Sequence, residues 1–300
     1  MSIEGEKFLM RDLLPEYPHP IEEIEQERTD LIERARQELE IITPSLKELV
    51  SCIENEKPDL VLFLDKGARI LAAPIRKYLS DRMGEQTPRI QRYNDDQLKT
   101  TFFRNEAIDR VVEEDFAPLA GKKVFYIDET FSNGRGAVAL DKATSQEGVD
   151  MRYFALSQTK EPYDLLKEDI WEDGKFYGLN REEYKKDFER IINDPRITIY
   201  PNYFPVLFTK DAALLSVVDT NDDKTRSRYQ LVSGEEANSL YDYEPKPGEL
   251  PHSRHFDNPP DGMDWQEFDE KVREINIRTF RKLTHMIYDS LTKDLDSTSE

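Results

Sequence analysis

Between Val124 and Ala137 the chain reads VFYIDETFSNGRGA: strand-forming residues, two carboxylates (Asp128 and Glu129), then small residues and an arginine. Carboxylates repel phosphate, whereas backbone N–H groups in a glycine-containing bend at a helix start attract it. A ligand that serves both halves needs hydroxyls for the acids and a phosphate for the bend. A sugar phosphate meets both demands. Thr130 and Ser132 offer hydroxyls beside a set of backbone N–H groups, Gly134 and Gly136 let the backbone come close to the ligand, and Arg135 adds positive charge.

Such a loop has to be carried by a strand and followed by a helix. KKVFYID reads as the strand and GRGAVALDKATSQEG as the helix, closed by Gly148. Upstream, PDLVLFLD is a continuous apolar run between Pro58 and Asp65, the pattern of a strand buried on both faces. KGARILAAPIRKYLSDRMG then reads as a tight turn and a helix ending at Gly84, with Pro74 tolerable in its first turn. PRIQRY suits a second strand, NDDQLKTTFFRNEAIDRVVEEDFAPLAGK a polar loop running into a short helix, and DMRYFALSQT a fourth strand. This alternation predicts an α/β fold with a mainly parallel sheet flanked by helices, and ligands collect beyond the carboxyl ends of such strands.

The flanks are helical or irregular. Ile24, Leu31, Ile32, Ala35 and Leu39, then Leu46, Leu49, Val50 and Ile53, predict two amphipathic helices split before Pro44. Residues 161–195 read as helical and charged, with REEYKKDFER a solvated face. RITIYPNYFPVLF and AALLSVV read as further strands, and 220–262, rich in Asp, Pro, Gly and Ser, as a surface excursion or linker. From Asp264 to Leu291 a final helix is expected to bury Trp265, Phe268, Val272, Ile275 and Phe280. The expected organisation is an N-terminal helical extension (1–56), an α/β domain (57–220), and a C-terminal extension (221–300) with a long loop and a terminal helix.

VFYIDETFSNGRGA resembles the PRPP-binding motif of the type I phosphoribosyltransferases, in which apolar strand residues precede an acidic pair and a short Ser/Thr/Gly loop. LVLFLDKGARILA is similar to that family's pyrophosphate loop, and the polar stretch between the two segments falls where the family keeps a mobile catalytic loop. The resemblance spans residues 58 to 160. It implies that Asp128 and Glu129 hold the vicinal ribose hydroxyls, and that Thr130, Ser132, Asn133, Gly134, Arg135 and Gly136 hold the 5′-phosphate. The pyrophosphate would lie on the backbone of Asp65, Lys66, Gly67 and Ala68, with Lys66 and Arg69 close by, and Lys99 or Arg104 would close over the leaving group. It further implies Mg²⁺ near Asp128 and Glu129, held in part through water. The implied reaction, within nucleotide metabolism, transfers ribose 5-phosphate from PRPP to a nitrogenous acceptor and releases pyrophosphate. Asn133 and Gly136 stand where the family often carries Thr or Ser. Ser132 stands where purine-salvage members carry an aspartate, which weighs against hypoxanthine or guanine as acceptor. Lys160 and Tyr163 are candidates to meet the acceptor, and the two extensions are left open between an acceptor-binding hood and a homo-oligomer interface.

Bulk composition narrows the alternatives. The formal charge of −20 over 300 residues disfavours the phosphate backbone of DNA or RNA as a partner. No apolar run approaches the roughly 20 residues of a membrane span and the first residues lack a signal-peptide pattern, so a soluble, cytoplasmic protein is expected. Cys52 stands alone, and four histidines give no Cys/His zinc spacing, His252 and His255 of HSRH included. An isolated acidic pair at a strand end is more often a solvated turn, and DKGAR alone is a common capped turn; joined, the two segments carry the reading. Two other classes remain open: a non-catalytic relative that senses PRPP or a nucleotide, and an S-adenosylmethionine-dependent methyltransferase. The second is disfavoured because the strand after the glycine motif closes in ALSQT without the expected acid.

Overall fold

The structure is a computed structural model, and it describes residues 20–64, 68–93, 98, 108–131, 134–159, 162, 181–202, 229–231 and 263–293. Strands β1 (Leu60–Leu64), β2 (Arg89–Tyr93), β3 (Lys123–Asp128), β4 (Asp150–Ala155), β5 (Ile197–Ile199) and β6 (Tyr229–Leu231) form a sheet in the order β5-β4-β3-β1-β2-β6. The first five run parallel, and β6 pairs antiparallel with β2. This is the α/β architecture that the alternating pattern predicts. All five residues of β1 are buried, which is why that segment is an unbroken apolar run. From β1 the chain passes to β2 on one side and then to β3 on the other, so the strand order reverses between β1 and β3.

Helices cover both faces. Helices α1 (Pro20–Glu56), α2 (Arg69–Met83) and α6 (Trp265–Thr292) share one apolar cluster with Val61, Phe63, Ile90, Phe125, Ile127 and Phe154 of the sheet. On the opposite face α3 (Ile108–Phe116), α4 (Arg135–Gln146) and α5 (Arg181–Ile192) pack with Leu62, Leu64, Val124, Tyr126, Met151 and Tyr153. The alternation of β3 and β4 sorts their side chains between these clusters. Gly148, at φ +66°, follows α4 and ends it as expected, and Gly84, at φ +57°, ends α2. Asp264 caps α6 by accepting the Glu267 N–H at 2.8 Å.

Four expectations need correction. Residues 20–56 form one helix, not two, with Pro44 inside it. Pro44 lies on the exposed side, as does Glu40, whose carbonyl loses its helical partner and can bond water instead. On the other side the apolar stripe from Leu31 to Ile53 stays buried without a break and holds the two halves in line. Pro74 falls in the second turn of α2 and is buried, where packing of the helix tolerates one missing backbone bond. Within the stretch read as a surface excursion, Tyr229–Leu231 is an edge strand. REEYKKDFER is more than a solvated face: Tyr184 and Phe188, together with Ile191, are buried against α4 and the sheet. The expected strand AALLSVV, the HSRH segment and His19 lie outside the described residues.

Candidate functional site

Asp128 is the last residue of β3, and its direct neighbour on β4 is Ala155. Tyr153 lies two positions back on the same face. The Tyr153 hydroxyl donates to Oδ2 of Asp128 at 2.7 Å. Tyr153 is 1% exposed while Asp128 is half-buried, so the carboxylate stands at the boundary between core and solvent. Among the described residues no donor reaches its Oδ1. Glu129 is buried, and its backbone carbonyl accepts the Ser157 hydroxyl at 2.9 Å.

The next residues continue the β3–β4 pairing. Phe131 N–H donates to the Ser157 carbonyl at 2.8 Å, and Thr159 N–H donates to the Phe131 carbonyl at 3.2 Å. Thr130 is buried with its hydroxyl 2.9 Å from that of Ser157, so its side chain anchors the base of the bend. Ser132 and Asn133 lie outside the described residues. The bend ends at Gly134, which takes a left-handed conformation (φ +70°, ψ 0°) and caps α4 without a side-chain hydrogen bond. Its carbonyl accepts the first helical bond, from Val138 N–H at 2.9 Å. The N–H groups of Arg135, Gly136 and Ala137 therefore have no helical carbonyl to reach and mark the positive end of the helix.

Packing of α5 accounts for glycine at position 134. A side chain there would run into the Phe188 ring of α5, and Phe131 closes the other side, with its ring centroid 5.8 Å from that of Phe188. Arg135 and Gly136 open α4 and are half-exposed. Arg135 faces α5 as well: burial pushes the Tyr184 hydroxyl up, and the Arg135 guanidinium partly counters that shift.

The upstream loop leaves β1, which is hydrogen-bonded directly to β3 with Phe63 beside Ile127. Both loops therefore emerge from the carboxyl ends of neighbouring central strands at the reversal point of the sheet. Ala68 is fully buried, and its N–H donates to the Leu64 carbonyl at 3.3 Å, so this amide serves the turn. Arg69 begins α2. The Arg69 side chain, together with Asp65, Lys66, Gly67, Lys99, Arg104, Lys160 and Tyr163, lies outside the described residues.

Sequence reasoning missed three groups. Tyr153 reads as core, because nothing local shows which carboxylate a strand tyrosine will meet. Phe188 is hidden among charges. Asp141 looks like a surface residue of α4 yet is 1% exposed, and it accepts from Arg190 at 2.6 Å and from Arg196 at 2.9 Å, tying α4 to α5 and to the start of β5. Beside this network a shallow groove lined by Lys186, Glu189, Arg190, Asn193, Asp194 and Pro195 lies at the amino end of β5, away from the end of the sheet that carries Asp128. Cys52 and His285 behave as packing groups: burial pushes the thiol up and the imidazole down.

No known family model matches the chain, and no curated protein matches it. A solved structure that does overlap is a purine phosphoribosyltransferase from Pyrococcus horikoshii Ot3, at 13% identity over 43% of this chain and 73% of that chain, with a TM-score of 0.23. At that score the overlap carries no argument, and the functional reading rests on the chain's own residues. Among the described residues, no helix is long and apolar enough to cross a membrane, and no group of three or more His, Cys, Asp and Glu could hold a metal. Asp128, half-buried at the strand end, is a hard oxygen donor of the kind Mg²⁺ takes together with substrate phosphates and several waters, whereas Glu129 is buried.

Proposed function

We propose that this chain binds PRPP and transfers its ribose 5-phosphate to a nitrogenous acceptor, releasing pyrophosphate. One observation carries the reading: an acidic strand end and a left-handed, glycine-capped helix start follow each other on β3, beside the loop of β1, where the strand order reverses. Oδ1 of Asp128 accepts from the ribose diol. The first-turn amides of α4 receive the 5′-phosphate, where the helix end favours an anion and compensates for the overall negative charge. The pyrophosphate is assigned to the backbone of residues 65–68, with Lys66 and Arg69 supplying positive charge.

Departure of pyrophosphate leaves positive character on the ribose carbon and negative charge on the leaving group. The chain's contribution is to fix the sugar at its two far ends, so that the acceptor nitrogen attacks in line, and to meet the leaving group with positive groups. Bound Mg²⁺ would supply charge neutralisation on the pyrophosphate. In this reading Lys99 or Arg104 would close over the leaving group and keep water from the reactive carbon.

The test is calorimetric titration of the full chain with PRPP and Mg²⁺ against S-adenosylmethionine, followed by a pyrophosphate-release assay over a panel of bases and amines. Binding with release supports the transferase. Tight binding with no release across the panel supports the sensor in its place, and binding of S-adenosylmethionine alone overturns both.

A further inference from the structure

We infer that Tyr153 is a positioning residue for the sugar diol, acting by holding the Asp128 carboxylate in a single orientation; this deepens the proposed function and rests on it. The terminal torsion of an aspartate is broad and nearly two-fold, so a half-exposed carboxylate at a strand end samples many orientations. A carboxylate that must receive hydroxyls in a fixed geometry gains from having that torsion set before the ligand arrives. Tyr153 sets it. Its ring is held in the core with Met151, Tyr126 and Val138, it is 1% exposed, and its hydroxyl donates to Oδ2 of Asp128 at 2.7 Å.

The geometry also explains which atoms remain for the ligand. Tyr153 approaches from within the sheet, along the face shared with α4, and occupies one lone pair of Oδ2. Among the described residues no other donor reaches this carboxylate, so Oδ1 and the second lone pair of Oδ2 are the positions a ligand would use. Ala155 is the residue opposite Asp128, and Tyr153, two positions back on the same face, makes a diagonal contact across the pair. The ring itself is committed to packing, so only its hydroxyl bears on the ligand, and a phenylalanine retains everything except that atom.

The experiment compares ribose 5-phosphate with 2,3-dideoxyribose 5-phosphate, which keeps the phosphate and the anomeric hydroxyl and lacks the 2- and 3-hydroxyls, on the wild type and on Tyr153→Phe, by calorimetry on the full chain. Thermal melts accompany each variant. The wild type is expected to prefer the diol. In Tyr153→Phe that preference falls about tenfold, while affinity for the dideoxy compound is unchanged. A preference equal to the wild type's overturns the inference, and so does an equal loss for both ligands, which would mark Tyr153 as a general structural residue. If the wild type itself shows no preference for the diol, the sugar-phosphate reading fails and the inference falls with it, an outcome separate from the other two.

Discussion

Replacing Gly134 by alanine tests whether the bend before α4 is held by packing as well as by backbone freedom. At φ +70° an L side chain costs about 1 kcal/mol or somewhat more. The added Cβ would lie 2.5 Å from Cδ2 of Phe188, closer still to its Cε2, and 3.0 Å from Cζ of Phe131. Phe188 is fully buried between α4 and α5, so its ring has little room to withdraw, and forcing a methyl against it adds about 1–3 kcal/mol. The expected loss for Gly134→Ala is therefore about 2–5 kcal/mol. Urea denaturation followed by circular dichroism measures it. Phe188→Ala alone costs about 3–5 kcal/mol for the lost burial and the cavity. In the double variant the methyl enters that cavity, so the combined loss falls short of the sum by about 1–3 kcal/mol, the steric part. Additivity within about 0.5 kcal/mol would show that the ring does not constrain the bend, and the argument for α5 as its support would fail.

Asp128→Asn removes the charge proposed to face the sugar and is expected to weaken PRPP binding at least about tenfold, with a melting temperature close to that of the wild type; unchanged affinity in a titration refutes the diol assignment. Replacing both Arg190 and Arg196 by methionine strands the buried Asp141 carboxylate and is expected to cost about 3–5 kcal/mol, against much less for either single change; a double variant as stable as the singles counters this. Asp194 has its carboxyl held below the ordinary range by its hydrogen bond to Arg196. A depressed value contributes stability above the unfolded-state pKa of about 3.9, and that contribution is lost as pH falls through the lower folded value. Denaturation from pH 6 to about 3 should therefore show the advantage of the wild type over Asp194→Asn shrinking at the acid end. A constant gap would refute the linkage.

Much of the scaffold is legible in the chain. β1 and β3 are recognisable because strands covered by helices on both faces become apolar runs, and LVLFL and VFYI are such runs. The end of α4 is legible because Gly148 supplies a positive φ that few other residues adopt. Asp128 at the mouth of β3 is legible as well, because an acidic residue closing a buried strand has to face the boundary with solvent. These features rest on local physics: periodicity, burial of neighbours in sequence, and the conformations open to a single residue.

Other features depend on distant partners. Pro44 reads as a helix break by its own chemistry, and only the continuous contact of α1 with α2, α6 and the sheet keeps the helix whole through it. The three-residue β6 carries too short a pattern to announce itself, and it exists because β2 presents an open edge. Tyr153 meets Asp128, and Phe188 meets Gly134, across separations that no period in the sequence encodes. Sequence alone pointed to the residues proposed to hold a sugar phosphate. The register of β3 against β4 and the docking of α5 decided what holds those residues in place, since such contacts form only when the whole sheet and both of its helical layers assemble.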